Sequence, residues 1–211
     1  MTERPRAGRV LSAVAFLVLG GGTVMLLPDD RPAPASAAAS PSPADIGFAQ
    51  DMVVHHQQAV TMAQAVRGRT SPQVAQLALS IELNQTREIG HMQGWLALWR
   101  APQVPSGPPM TWMRDGHHGH GNGEMPGMAS QQEIASLGEA TGRRLDIRFL
   151  ELMIRHHEGA IPMAAAAVAR AAVPHVRATA TLMISDQRKE TAVMTGLLAA
   201  LRGSPPGNGR G

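Results

Sequence analysis

Sixteen residues, FLELMIRHHEGAIPMA at 149–164, have a counterpart 101 positions earlier, FAQDMVVHHQQAVTMA at 48–63. Phe48/Phe149, Met52/Met153, His55/His156, His56/His157, Ala59/Ala160, Met62/Met163 and Ala63/Ala164 are identical, and Val53/Ile154 and Val60/Ile161 stay apolar. The match resumes at an offset of 102 with Pro72/Pro174, Val74/Val176, Gln85/Gln187, Glu88/Glu190, Met92/Met194, Gly94/Gly196 and Leu96/Leu198. The chain is therefore an internal duplication of a unit about a hundred residues apart. A unit with one apolar face cannot bury it alone, so the two copies must pack face to face. What both copies keep is mostly His, Met, Glu and Gln as well as core hydrophobics.

The rest of the chain frames these copies. Arg4, Arg6 and Arg9 precede an apolar run from Val10 to Leu27. Basic residues ahead of such a run mark an export signal or N-terminal membrane anchor, here residues 1–27. Residues 28–43 are rich in Pro, Ala and Ser and read as a disordered tether. A folded region is expected over 44–203, with 204–211 as a flexible tail. Within it, helices are expected from about Asp45 to Arg69, from Pro72 to about Arg100, from Arg143 to Ala172, and from Pro174 to about Arg202. Ser71 reads as an N-cap with Pro72 at the first helical position. Ser130 and Glu133 spell a capping box for a short helix ending near Ala140. Pro162 is expected to kink the third long helix. Two similar hairpins imply an all-α four-helix bundle with a pseudo-twofold axis and a crossover at 101–129.

Composition supports helices: 44% of residues are apolar but only 3% aromatic. The net charge of +3 is modest and no basic run is interleaved with aromatics, which argues against nucleic acid as a partner. There is no cysteine, against 13 Met and 9 His. Any soft metal must then be held by thioether and imidazole.

On a helical wheel Met52, His55, His56, Ala59 and Met62 share an arc of about 120°, the width of a core-facing stripe. Met153, His156, His157, Ala160 and Met163 repeat it. On the second helix of each copy Gln85, Glu88 and Met92, and Gln187, Glu190 and Met194, lie on the inward face. Buried ionisable groups are costly unless paired. The four His and two Glu are therefore expected to hydrogen-bond one another or to bind a metal. Glu88 and Glu190 can serve as ligands or can fix the imidazole tautomers. The crossover adds Met110, Met113, His117, His118, His120, Met125 and Met128 within nineteen residues. Met beside His points to copper, because Cu(I) accepts thioether sulfur.

These motifs, with MPGM at 125–128 ahead of the second copy, resemble the domain-of-unknown-function family numbered 305. The most specific segment is MIRHHEGAIPMA at 153–164; the resemblance runs from about Asp45 to Arg202. It implies a ferritin-like four-helix fold and kinship with exported copper-binding and copper-resistance proteins of bacteria. The first copy departs from the pattern, with Gln58 in place of Gly159 and Val54 before His55.

Three functions fit these features. The first is a metal-binding protein of the cell envelope, exported and either anchored or released after cleavage. It would take up copper, Cu(I) in the first place, for buffering, resistance or delivery to a copper transporter or copper-accepting protein, and would touch the membrane only through its N-terminal segment. The second is a ferritin-like di-metal oxidoreductase using iron, which requires Glu-x-x-His; Glu88 and His91 spell it, but the duplicate reads Glu190 and Val193. The third is a structural bundle whose His and Glu only pair in the core.

Overall fold

The computed structural model describes residues 39–113 and 125–203. Among them are five α-helices and no strand: α1 (Pro43–Ala65), α2 (Pro72–Leu98), α3 (Gln131–Glu139), α4 (Gly142–Arg170) and α5 (Pro174–Gly203), with a 3-10 turn at Thr111–Met113. The architecture is the expected all-α, ferritin-like bundle of duplicated hairpins. None of these helices is long and apolar enough to cross a membrane. The basic-then-apolar segment at 1–27 and the tail at 204–211 lie outside the described residues.

Local chemistry explains where the helices begin and end. Ser42 and Asp45 form a capping box ahead of α1, and Pro43 occupies the first turn. α1 stops at Ala65, earlier than the expected Arg69, because Gly68 turns the chain at φ +71. Ser71 stands at the N-cap of α2, but its hydroxyl makes no capping bond. Instead its backbone N–H donates to the Asp146 carboxylate at 3.1 and 3.3 Å. The Ser130–Glu133 box opens α3 as expected. Glu133 also accepts from Arg155, which holds its carboxyl down at about 2 and ties α3 to α4. α4 continues through Pro162, which faces solvent, where the carbonyl it leaves unpaired can be hydrated.

α1 packs on α2, α4 packs on α5, and the two hairpins meet through α1 and α4. The interior divides into two apolar clusters. One gathers Ala59, Met62, Val74, Ile81, Phe149, Met153, Met194 and Leu198. The other gathers Phe48, Met52, Met92, Leu96, Ala160, Met163, Val176 and Met183. The duplicated core residues are split between them: Met62 shares a cluster with Met153, and Met163 with Met52. The pseudo-twofold axis therefore passes between the clusters, at the level of the four histidines.

The same exchange fixes the hairpin turns. Asp45, fully buried, accepts from Ser42 N–H at 2.8 Å, Ser42 Oγ–H at 2.6 Å, and the N–H groups of Ala172 and Val173 at 2.9 and 3.0 Å. Its duplicate Asp146 holds Ser71. Each copy thus anchors the turn of the other.

Candidate metal centre

His55, His56, His156 and His157 are all 0% exposed, so the stripe residues do converge on one interior layer. The i, i+1 pairing on each helix sends the rings apart, with centroids 6.5 Å apart for His55/His56 and 6.3 Å for His156/His157. His56 and His157 point toward α2 and α5. There His56 Nε2–H donates to Glu88 Oε2 at 2.7 Å, and His157 Nε2–H donates to Glu190 Oε2 at the same distance. Asn84 Nδ2–H donates to the other oxygen of Glu190 at 3.2 Å. The two carboxylates are about one-sixth exposed, so they bridge solvent and the buried rings.

His55 and His156 meet across the α1–α4 seam, 3.9 Å between centroids with the rings inclined by 38°. His55 Nε2–H donates to the Pro126 carbonyl at 3.0 Å. A carbonyl or carboxylate only accepts, so three of the four rings carry their proton on Nε2. Nδ1 of all four rings meets no hydrogen-bond partner among the described residues, and neither does Nε2 of His156. Burial pushes the His55 imidazole down to about 3, with His56 and His157 adding to the effect and the Pro126 bond opposing it. Burial likewise holds His156 well below 6.5, reinforced by the other three rings and opposed by the His55 backbone beside it. These two are neutral imidazoles in a buried interior.

The crossover breaks the symmetry. Gln58 clamps Ala129 twice, donating to its carbonyl at 2.9 Å and accepting from its N–H at 2.6 Å. On the facing helix the chain at Pro126–Gly127 lies directly against Gly159, where a Cβ would collide with the Pro126 carbonyl. Gly127 itself needs φ +78 and sits on the Arg155 carbonyl. Gln58, where the first copy departs from the pattern, and Gly159, where the second keeps it, are thus two halves of one docking site. Gly159→Ala should push residues 125–129 off the bundle and cost about 1–3 kcal/mol, the usual range for overpacking. Urea unfolding checks the cost, and proteolysis after residue 124 checks the release.

The candidate ligands divide accordingly. Met52, Met62, Met92, Met153, Met163 and Met194 are fully buried in the two clusters that bracket the histidine layer. Met125 and Met128 are half-buried, and Met125, with Met110 and Met113, packs on the cluster that holds Met52 and Met163. His117, His118 and His120 lie outside the described residues. His91 is exposed and takes no part in the layer. Among the described residues no three His, Asp or Glu side chains are grouped as a ready-made metal site. Methionine thioether is the donor that the buried clusters on either side of the histidines add. The residues that sequence reasoning missed are Asp45 and Asp146, identical at an offset of 101, and Asp51. Burial pushes the Asp51 carboxyl up against the opposing bonds from Met110 N–H and Trp112 Nε1–H.

Solved structures carry the same fold. A DUF305 protein of Streptomyces coelicolor, assigned as secreted, is 42% identical, with a TM-score of 0.70 over 78% of this chain and 98% of its own. A DUF305 fragment from Deinococcus radiodurans is 32% identical, with a TM-score of 0.63 over 76% of this chain and 98% of its own. CopM in its Cu(II)-bound form is 28% identical, with a TM-score of 0.58 over 74% of this chain and 96% of its own. No curated protein matches the chain. The family model for the domain of unknown function DUF305 spans residues 45–198, all four long helices and the histidine layer between them, and the chain belongs to that family.

Proposed function

We propose that this protein is an exported copper-binding protein of the cell envelope, which takes up copper, Cu(I) in the first place, through imidazole and thioether. It holds the ion or passes it to a copper transporter or acceptor without catalysing a reaction. The observation that carries this reading is the histidine layer: four buried imidazoles whose Nδ1 atoms have no hydrogen-bond partner among the described residues. Leaving a buried polar atom unpaired costs about 1–3 kcal/mol, so four of them together need a reason beyond stability. Glu88, Glu190 and Pro126 fix the protons on Nε2, the arrangement that leaves Nδ1 free to bind. The buried methionines on either side offer thioether sulfur, which suits Cu(I) in a chain without thiolates. The copper-bound forms of CopM support the choice of metal, and the secreted assignment of the Streptomyces relative supports export.

Competition with a chromogenic Cu(I) chelator tests the reading. The intact protein should withdraw Cu(I) with an affinity tighter than about micromolar. His156→Ala with His157→Ala should abolish the tightest site, and His55→Ala with His56→Ala should cost the same or less. Replacing His117, His118 and His120 should lower capacity and spare the tight site. Retention of full affinity by the His156/His157 variant would place the copper elsewhere.

A further inference from the structure

A fully buried layer raises the question of how an ion reaches it. Both ends of the layer are closed by apolar clusters. The α1–α4 face is covered where the crossover bonds to Gln50, Asp51, His55 and Gln58. The α2–α5 seam differs. These helices pack chiefly on their own hairpin partners and meet one another through long polar side chains. Between them lies a cavity of about 10 Å³, room for one water-sized particle, lined by Gln85, Gln187, Glu88 and Glu190 with Asn84 and the buried Met183, and with Arg87 and Asp186 exposed at its rim.

Gln85 is 1% exposed and neither polar atom of its amide has a hydrogen-bond partner among the described residues; Gln187 is 4% exposed and its Oε1 is likewise unpartnered. A bundle selected only for stability would put leucine at both places, since unpaired buried amides destabilise. The two glutamates continue the polar line inward, each bonded directly to a ring of the layer.

We propose that this seam is the entry route for the cation: a gate on the pseudo-twofold axis in which the Gln85 and Gln187 amide oxygens replace lost hydration and the glutamates draw the positive charge inward. The assignment rests on the copper reading for the identity of the cation. The gate itself can be judged without copper.

Gln85→Leu with Gln187→Leu plugs the gate at nearly constant volume. In the full chain, stopped-flow transfer of Cu(I) from a chromogenic chelator complex should slow by about tenfold or more, the effect of a modest added barrier. Equilibrium affinity should change little, because entry and exit slow together. Deuterium exchange at the imidazole C2–H positions of the metal-free protein, read by mass spectrometry, should slow in parallel. The melting temperature should hold or rise, and the single Gln85→Leu variant offers a milder plug if the double variant folds poorly. Unchanged transfer and exchange rates would overturn the gate, as would lost affinity at an unchanged rate, which would make the amides ligands. Faster uptake in Gln58→Leu with no effect of Gln85→Leu would place the route beneath the crossover instead. If the wild-type protein binds no Cu(I), the copper reading falls, and imidazole exchange alone decides whether the seam is a gate.

Discussion

Acidification should unfold the metal-free protein largely through its histidines, beginning below pH 6.5 and before the carboxylates titrate. The unfolded chain binds a proton at each exposed imidazole near 6.5, whereas folded His55 stays neutral down to about 3 and His156 also lies well below 6.5. Between those limits the unfolded state holds more protons, so stability falls as pH falls. For His55 alone the difference corresponds to roughly 5 kcal/mol by the time its folded pKa is reached, at about 1.4 kcal/mol per unit. That approaches the whole stability of many domains. Asp45 works in the lower window. Burial would raise its carboxyl, but the bonds from Ser42, Ala172 and Val173 outweigh it and hold the pKa below 3.8, so its contribution is lost only as pH falls further. Thermal melts from pH 7.5 to pH 3.5 should show the melting temperature declining from about pH 6.5 onward. A curve flat down to pH 4.5 would mean that the layer takes up protons while folded. Bound copper should shift the whole decline to lower pH, since a ligated imidazole must lose its metal before it can charge.

Asp45→Ala should be the most destabilising single substitution outside the apolar clusters. The carboxylate satisfies the N-terminus of α1 and two N–H groups of the α4–α5 turn at once. Removing it costs a helix cap and the shared acceptor of two turn N–H groups, about 3 kcal/mol in total. Asp146→Ala deletes one shared bond to Ser71 and should cost about 1 kcal/mol. Chemical denaturation of the two variants tests the ranking. Equal losses would show that burial of the charge, and not the number of N–H groups held, governs this pair.

Much of this could be read before the coordinates. The duplication placed the four long helices within a few residues of their ends, because period and punctuation repeat between copies. It also brought His55, His56, His156 and His157 to one interior, since a shared arc on two packed helices leaves little freedom. The aspartate anchors stayed hidden despite their identity at an offset of 101: their partners are backbone N–H groups of turns, which leave no side-chain signature. Gln58 and Gly159 read as divergence, and became meaningful only when the 125–129 segment was seen lying between them. Residues His117, His118 and His120 lie outside the described structure, and their part in copper uptake is proposed from composition.

The docked crossover has a consequence that a dimer of identical hairpins could not reach. In such a dimer positions 58 and 159 would carry the same residue on both helices. Glycine at both would leave nothing to grip Ala129, and glutamine at both would fill the space that Pro126 occupies. Joining the copies in one chain lets the two positions specialise. His55 is latched by a carbonyl, whereas neither ring nitrogen of its twin His156 is latched in that way among the described residues. A layer generated by symmetry thereby acquires a front and a back, and two chemically identical side chains come to stand in different surroundings.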